Sequence, residues 1–410
     1  MVLNYIWILF FLIAFVVSIV RLIFFQEYDI FNQIIKSLFD SAATGFDISL
    51  GMTGILTLWM GLMRIAEKGG IINLFTKIIG PFFSRLFPEI PKGHPAFGSI
   101  MLNYSANMLG LDNAATPMGL KAMEQLQDAN PNKETASNAQ IMFLVLNTAG
   151  MTLIPLTIMV YRAQLGAANP ADVFIPCVLS TFISAIVGMV VVSIVQKINL
   201  LNRYILLYLA VVGVLISVLV WYVSGLSQLQ MAKFSSLMSN LILFTLIAFF
   251  IFVGMIRKIN VFDAFIEGAK DGFNVAIKII PFLIAMLCAI AVFRAAGGMD
   301  FIMQALTSFL NWVGVNADFV PALPTALMKP LSGTGSRGLM IDAMTQYGPD
   351  SFVGRLVCVI QGATDTTFYI IAVYFGSVGI KNIRYTILCG LIADFSGIIA
   401  AIILSYLFFK

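Results

Sequence analysis

The sequence predicts an all-α polytopic membrane protein: two inverted-topology repeats with broken, re-entrant helices that meet at mid-membrane. Three observations predict it. Hydrophobic residues fill 60% of the 410 positions and charged residues only 11%, against roughly 45–50% and about 25% in soluble chains. So few charges cannot cover a water-facing surface. Apolar stretches long enough to cross a bilayer recur along the whole chain. An ordered set of local features also occurs twice.

Composition excludes several classes. The net charge of +4, from 24 basic and 20 acidic residues, provides no basic footprint for nucleic acid; the expected partner is membrane lipid. His94 is the one histidine, which excludes multi-histidine metal sites and histidine proton relays. Cys177, Cys288, Cys358 and Cys389 each sit alone in an apolar run and read as small buried hydrophobes, so neither metal nor cofactor is expected. The sequence contains no H-E-x-x-H, no G-x-S-x-G and no G-K-[ST], and an enzyme is not expected. The opening run, Val2 to Phe25, lacks a basic n-region and a small-residue cleavage site, and reads as a retained span.

A helix needs about 20 apolar residues to cross roughly 30 Å of hydrocarbon. Clear stretches lie at 3–25, 46–66, 139–161, 172–196, 203–223, 235–256, 273–293, 353–375 and 385–409. Weaker, interrupted stretches lie at 71–88, 96–127, 299–315 and 319–346. Basic residues in short loops set orientation. The hairpin 203–256 carries Lys197, Arg203, Arg257 and Lys258 at its ends and only Lys233 between them, which places both ends inside. Loop 26–44 holds Glu27, Asp29 and Asp40 against Lys36 and belongs outside. The N-terminus is then inside, 197–203 and 257–271 inside, and the C-terminus outside.

Gly45 to Gly70 resembles Gly272 to Gly298, each closing on a charged turn and Gly-Gly. A short amphipathic segment follows in each, 71–88 and 299–315, then an interrupted helix, 97–123 and 322–344. Next come Leu146–Thr152 and Ile360–Thr366, and a plain apolar helix closes each copy. The charge bias brings the copies into the membrane from opposite sides, the arrangement of secondary transporters with a site between repeats.

The interrupted segments hold the candidate binding residues. Asn103, Ser105, Asn107, Asn113 and Thr116 fall in a stretch with Gly110 and Pro117, a composition tolerated at membrane depth only where backbone is buried or lines a cavity. Asn113 or Thr116 is placed to cap the following helix, with Pro117 in its first turn. The second segment runs Lys329-Pro330-Leu331-Ser332-Gly333-Thr334-Gly335-Ser336-Arg337-Gly338. It matches G-x-G-x-x-G literally, but no strand precedes it, so a dinucleotide fold is rejected. Its glycines let backbone approach a ligand, and Lys329 and Arg337, with Ser332, Thr334 and Ser336, suit a carboxylate, phosphate or sugar oxygen. The third segment contributes Gln361, Asp365, Thr366 and Thr367; a carboxylate at mid-span is expensive and usually paired or functional. Arg337 or Lys329 is its expected partner. Asn147 and Thr152, with Thr148 between them, hold the matching place in the first copy, and Asp394 is a further mid-span carboxylate.

At these segments the sequence resembles a known family. Residues 1–200, above all Asn107 to Met123, resemble spore maturation protein A. Residues 201–410 resemble spore maturation protein B through 329–338, Tyr347 to Phe352, Ile360 to Tyr369 and Ala372 to Gly376. The two proteins occur here as one polypeptide, which implies one complex with one shared site. That family is similar to the nucleoside recognition, or gate, domains of concentrative nucleoside transporters and ferrous-iron transporters, so the resemblance implies transport.

The combined expectation is a multi-pass secondary transporter of the bacterial inner membrane for a small polar or anionic, nucleoside-like solute. Asp365 would pair with a coupling proton or sodium ion, or with the charge of the solute, and a homo-oligomer is expected. The alternatives are translocation of a lipid carrier or envelope precursor, and a non-transporting scaffold for envelope or spore maturation.

Overall fold

The computed structural model describes residues 2–91, 94–110, 112–200, 202–225, 228–314 and 316–410; within these, the side chains of 112–114 and of scattered positions, most of them in 204–236, lie outside the description. In the first half, α1 (Val2–Phe25), α2 (Ile30–Lys68) and α3 (Ile71–Leu86) precede α4 (Pro95–Met108) and α5 (Asp112–Ala129), then α6 (Asn138–Ala149), α7 (Leu156–Gln164) and α8 (Phe174–Gln196). Next come α9 (Arg203–Ser224) and α10 (Gln228–Ile256). The second half repeats the order: α11 (Val261–Ala295), α12 (Gly298–Val313), α13 (Leu323–Met328), α14 (Gly333–Tyr347), α15 (Phe352–Ala363), α16 (Thr367–Ser377) and α17 (Thr386–Phe409). Seven helical stretches are long and apolar enough to cross a membrane among the described residues. This is an all-helical, multi-pass membrane protein.

Two loops expected from hydropathy are helix instead. Of 26–44 only the first few positions are turn, because α2 starts at Ile30 and runs 39 residues, about 58 Å at 1.5 Å per residue. Most of 257–271 likewise belongs to the 35-residue α11. Hydropathy finds only the part of a helix that lies in hydrocarbon; the charged turns beyond it continue the same hydrogen-bond ladder. The reverse holds at 139–161 and 353–375, read as single spans. The first divides into α6 and α7 around Gly150–Pro155, and the second into α15 and α16 around Thr364–Thr366. Gly150 adopts φ +56°, the left-handed region that ends helices at low cost to glycine.

The interruption expected over 103–117 is narrower. Helix α4 continues to Met108 and α5 starts at Asp112, leaving a tip around Gly110 at φ +71°. Asn113 and Thr116 are therefore inside α5 rather than at its cap. Pro117 lies inside it too, just past the first turn, where its missing N–H forfeits the ladder bond to the carbonyl of residue 113. In the second half, Gly333, Gly335 and Gly338 belong to α14, whose cap is Ser332, accepting from Gly335 N at 3.0 Å. The spans that carry the breaks start on matched serine caps. Ser137 forms a capping box with Gln140 at the head of α6, and Ser351 accepts from Gly354 N at 2.9 Å at the head of α15.

The long helices α2 and α11 run antiparallel in close contact. A Cβ on Gly272 would meet the Leu56 carbonyl oxygen at 2.7 Å, and one on Gly61 would meet the Phe265 ring at 2.5 Å, while Gly45 lies against Ile284. Gly268 and Gly272 form a G-x-x-x-G face, the small-residue device for close helix approach in lipid. Both large apolar cores draw side chains from the two halves. One joins Met52, Leu56 and Cys177 with Met340, Val357 and Leu404; the other joins Phe83, Ile100 and Phe143 with Ile370 and Phe375.

Candidate functional site

Four interrupted elements meet where the two halves cross, and backbone hydrogen bonds fix the crossing. Leu153 N, in the α6–α7 break, donates to Met108 O at the end of α4, at 2.8 Å. Phe368 N, just past the α15–α16 break, donates to Pro330 O in the α13–α14 turn, at 3.1 Å. Each break is thus tied to the hairpin of its own half. Asp365 N then donates to Thr148 O at 2.8 Å, tying one break to the other. A Cβ on Gly150 would stand 3.0 Å from Asp365 N, so glycine there permits both the left-handed turn and the close approach.

Two cavities flank this crossing. One, of about 130 Å³, is lined from the first half by Asn107, Asn147 and Thr152, and from the second by Lys329, Arg337, Gln361 and Asp365. The other, of about 230 Å³, is lined by Thr116, Tyr369 and Tyr374 among others, and again by Asn107, Asn147 and Asp365. Those three shared residues line both cavities. Asn107 Nδ2 donates to Asn147 Oδ1 at 2.9 Å, and Asn147 Nδ2 donates to Phe143 O at 2.9 Å. Asn103, wholly buried, donates to Ala115 O at 2.8 Å across the α4–α5 hairpin. With their amide nitrogens committed in this chain, Asn107 presents a carbonyl oxygen as its remaining hydrogen-bonding group.

The second half brings the charges. Lys329 is buried at 5% exposure yet lines the first cavity. The Arg337 guanidinium lies over the Tyr161 ring, 5.9 Å from its centroid, a cation–π contact, rather than in an ion pair with Asp365. Asp365 is exposed to the interior opening, and its Oδ1 accepts from Thr366 N at 2.8 Å. Ser336 Oγ donates to Gln361 Oε1 at 2.6 Å and lies 3.0 Å from Thr325 O, which locks Gln361 in place.

Other candidates stand elsewhere. Ser105 is buried with its hydroxyl 3.1 Å from Thr76 Oγ1, against α3 and away from the crossing. Ser332 is a cap, and Thr334 does not line either cavity. Thr366 and Thr367 are buried behind the break, with Thr367 donating to Asp394. The side chain of Asn113 lies outside the described residues. Reading the sequence misses Tyr161, Tyr369 and Tyr374, whose aromatic character is indistinguishable from ordinary core. It also misses a buried ionic lattice at one end of the molecule. There Arg162, wholly buried, pairs with Asp172 at 2.8 Å and Asp350 at 3.0 Å, and Arg355 pairs with Asp172 at 2.7 Å.

Against known proteins, residues 49–167 and 276–381 match the family described as Gate: Nucleoside recognition. The chain belongs to this family. The two matched stretches each contain one hairpin and one broken span, the elements that build the crossing. The chain is also similar to spore maturation protein B of Bacillus subtilis (strain 168), 46% identical over 164 residues, which covers 40% of this chain and 90% of that protein. It is similar to spore maturation protein A of the same organism, 40% identical over 174 residues, covering 42% of this chain and 89% of that one. A solved structure of CNTnw in its intermediate 3 state aligns over 97% of this chain and 93% of its own, at 13% identity and a TM-score of 0.35.

Proposed function

We propose that this Gate-family protein is a secondary transporter of the bacterial inner membrane for a small polar or anionic, nucleoside-like solute, rather than an enzyme. The observation that carries the reading is the crossing itself: four interrupted elements, two per half, surround paired polar cavities that share Asn107, Asn147 and Asp365. Interrupted helices at membrane depth are kept where they line a cavity. Neither cavity alone reaches the roughly 300 Å³ of a typical small-ligand site, but joined they do. The solute would occupy both, in contact with the three residues that line each.

The halves 1–200 and 201–410 act in this reading as inverted repeats. The antiparallel α2 and α11 support it. So do two matched sets of loop contacts. At one end Ala136 N donates to Asn382 O and Lys381 N to Glu134 O, so the α5–α6 loop meets the α16–α17 loop. At the other, the Arg162 lattice brings the α7–α8 and α14–α15 loops together. Each end pairs the inner loop of one half with the last loop of the other, as a two-fold axis in the membrane plane requires. Lys329 and Arg337 suit an anionic or hydroxyl-rich solute, and a proton or sodium ion would drive uptake. The chain works in lipid and associates with further copies of itself.

Purified protein in proteoliposomes, given radiolabelled uridine or inosine, tests this. Uptake above protein-free vesicles that is lost in Asp365→Asn is the expected result. Binding without uptake would leave a solute-sensing scaffold, and neither binding nor uptake across a nucleoside panel would remove the nucleoside class.

A further inference from the structure

A second carboxyl stands behind the cavity wall. Asp394, near the middle of α17, has no exposure. Thr367 Oγ1, at the start of α16, donates to its Oδ2 at 2.6 Å. Among the described residues neither its Oδ1 nor the hydroxyl of Thr364, at the end of α15, has a hydrogen-bond partner. Thr364 lies beside Asp394 and also lines the 130 Å³ cavity. The surroundings are close-packed: a Cβ on Gly397 would meet Thr364 Cγ2 at 2.6 Å, and Ala149, Ala185 and Ala393 pack together alongside.

An ionised carboxylate in so dry a place, with a single donor, is a poor arrangement, and two neighbouring orphaned oxygens compound it. One proton resolves both. A neutral Asp394 donates Oδ1–H to Thr364 Oγ1 while Oδ2 goes on accepting from Thr367. The charged groups that act on Asp394 are Lys329, from the α13–α14 turn, and Asp365, from the break. The other titratable side chains on the elements packed around it are Cys177 on α8, Lys233 on α10, Arg355 and Cys358 on α15, Tyr369 and Tyr374 on α16, and Cys389 and Tyr406 on α17.

We propose that Asp394 is a proton-binding site, a carboxylic acid that clamps the two ends of the α15–α16 break through Thr364 and Thr367. Loss of its proton to water leaves a carboxylate that must draw both threonine hydroxyls toward itself as donors. Thr364 then turns from the cavity, and the break that presents Asp365 and Gln361 shifts with it. The purpose of the site, ion coupling, rests on the transport reading; its chemistry does not.

Two measurements on purified full-length protein need no solute. The first is the infrared carbonyl stretch of a protonated carboxylic acid, followed from mildly acidic to mildly alkaline buffer. The second is amide hydrogen exchange over 364–368, corrected for intrinsic pH dependence. We expect a protonated-acid band in the wild type that Asp394→Asn removes, Thr364→Val shifts and Asp365→Asn leaves in place. Exchange at the break should depend on pH in the wild type and lose that dependence in Asp394→Asn, whose amide imitates the neutral acid and so keeps the fold. A wild type without the band, or a band retained in Asp394→Asn, overturns the proposal. So does stabilisation of the wild type, but not of Asp394→Asn, by sodium chloride over choline chloride, which would make this a sodium site. The band together with failed uridine uptake would leave the proton site standing and remove the transport reading alone.

Discussion

The two breaks at the crossing share a backbone plan and differ in chemistry. In both, an N–H in or just past the break donates to a carbonyl at the turn of the same half's hairpin: Leu153 to Met108 and Phe368 to Pro330. Yet the first break, Gly150 to Pro155, is neutral and is held by the Asn107–Asn147 amide chain, whereas the second gathers Lys329, Arg337, Asp365 and the buried Asp394 around Thr364–Thr366. The difference assigns labour. The first half provides geometry and neutral hydrogen bonds, and the second provides charge. The same backbone interruption thus carries different chemistry in the two halves, set by the side chains around it.

The largest effect expected from breaking this scheme is at the end where charge rather than backbone joins the halves. Arg162 is wholly buried between Asp172 and Asp350, so Arg162→Met removes their buried partner and leaves both carboxylates to share Arg355. Loss of one partner of a buried pair costs about 3–5 kcal/mol, and thermal unfolding of the purified protein should show a large fall in melting temperature. A melt close to wild type would mean that the lattice does not hold the halves.

Next is Gly150→Ala. A left-handed φ costs a non-glycine residue roughly 1–2 kcal/mol, and the added Cβ would press on Asp365 N at 3.0 Å. Solute binding should fall more than stability does, because the contact being pushed apart is the one that joins the breaks. Equal losses in both would make Gly150 a folding residue only.

Asp365→Asn acts on the charged break. Asp365 is exposed and takes its hydrogen bond from Thr366 N, so the variant should melt within about 0.5 kcal/mol of wild type, as substitutions away from buried partners do, while uptake is lost. The smallest effect belongs to Lys381→Ala. Lys381 and Glu134 form an exposed pair at 2.6 Å, and such pairs contribute about 0–1 kcal/mol; the backbone bonds from Lys381 and Asn382 to Glu134 hold that end regardless. A large destabilisation there would reverse the contrast between the two ends.

Much of this fold and site is legible in the amino-acid sequence because a membrane imposes simple rules. Polar residues such as Asn107, Asn147 and Asp365 stand beside or within breaks in apolar helices, and interruption at depth marks a cavity. Their partners are not legible in the same way. Sequence points Asp365 toward Arg337 or Lys329, but Arg337 stacks over Tyr161, a contact set by how α7 meets α14. Arg162, Asp172, Asp350 and Arg355 look like solvated loop charges one at a time, and only the approach of two distant loops turns them into a buried lattice. The full lengths of α2 and α11 are hidden for a different reason: hydropathy measures the bilayer, not the helix.

A transporter of the proposed kind would open the cavity at the crossing alternately to either side of the membrane. A single cysteine at Thr152→Cys, with Cys177, Cys288, Cys358 and Cys389 replaced, tests it directly when membrane-impermeant maleimide is applied to oriented membranes from each face in turn. Labelling from both faces, slowed on both by bound solute, is the expected result. Labelling from one face alone, or from neither, would contradict it.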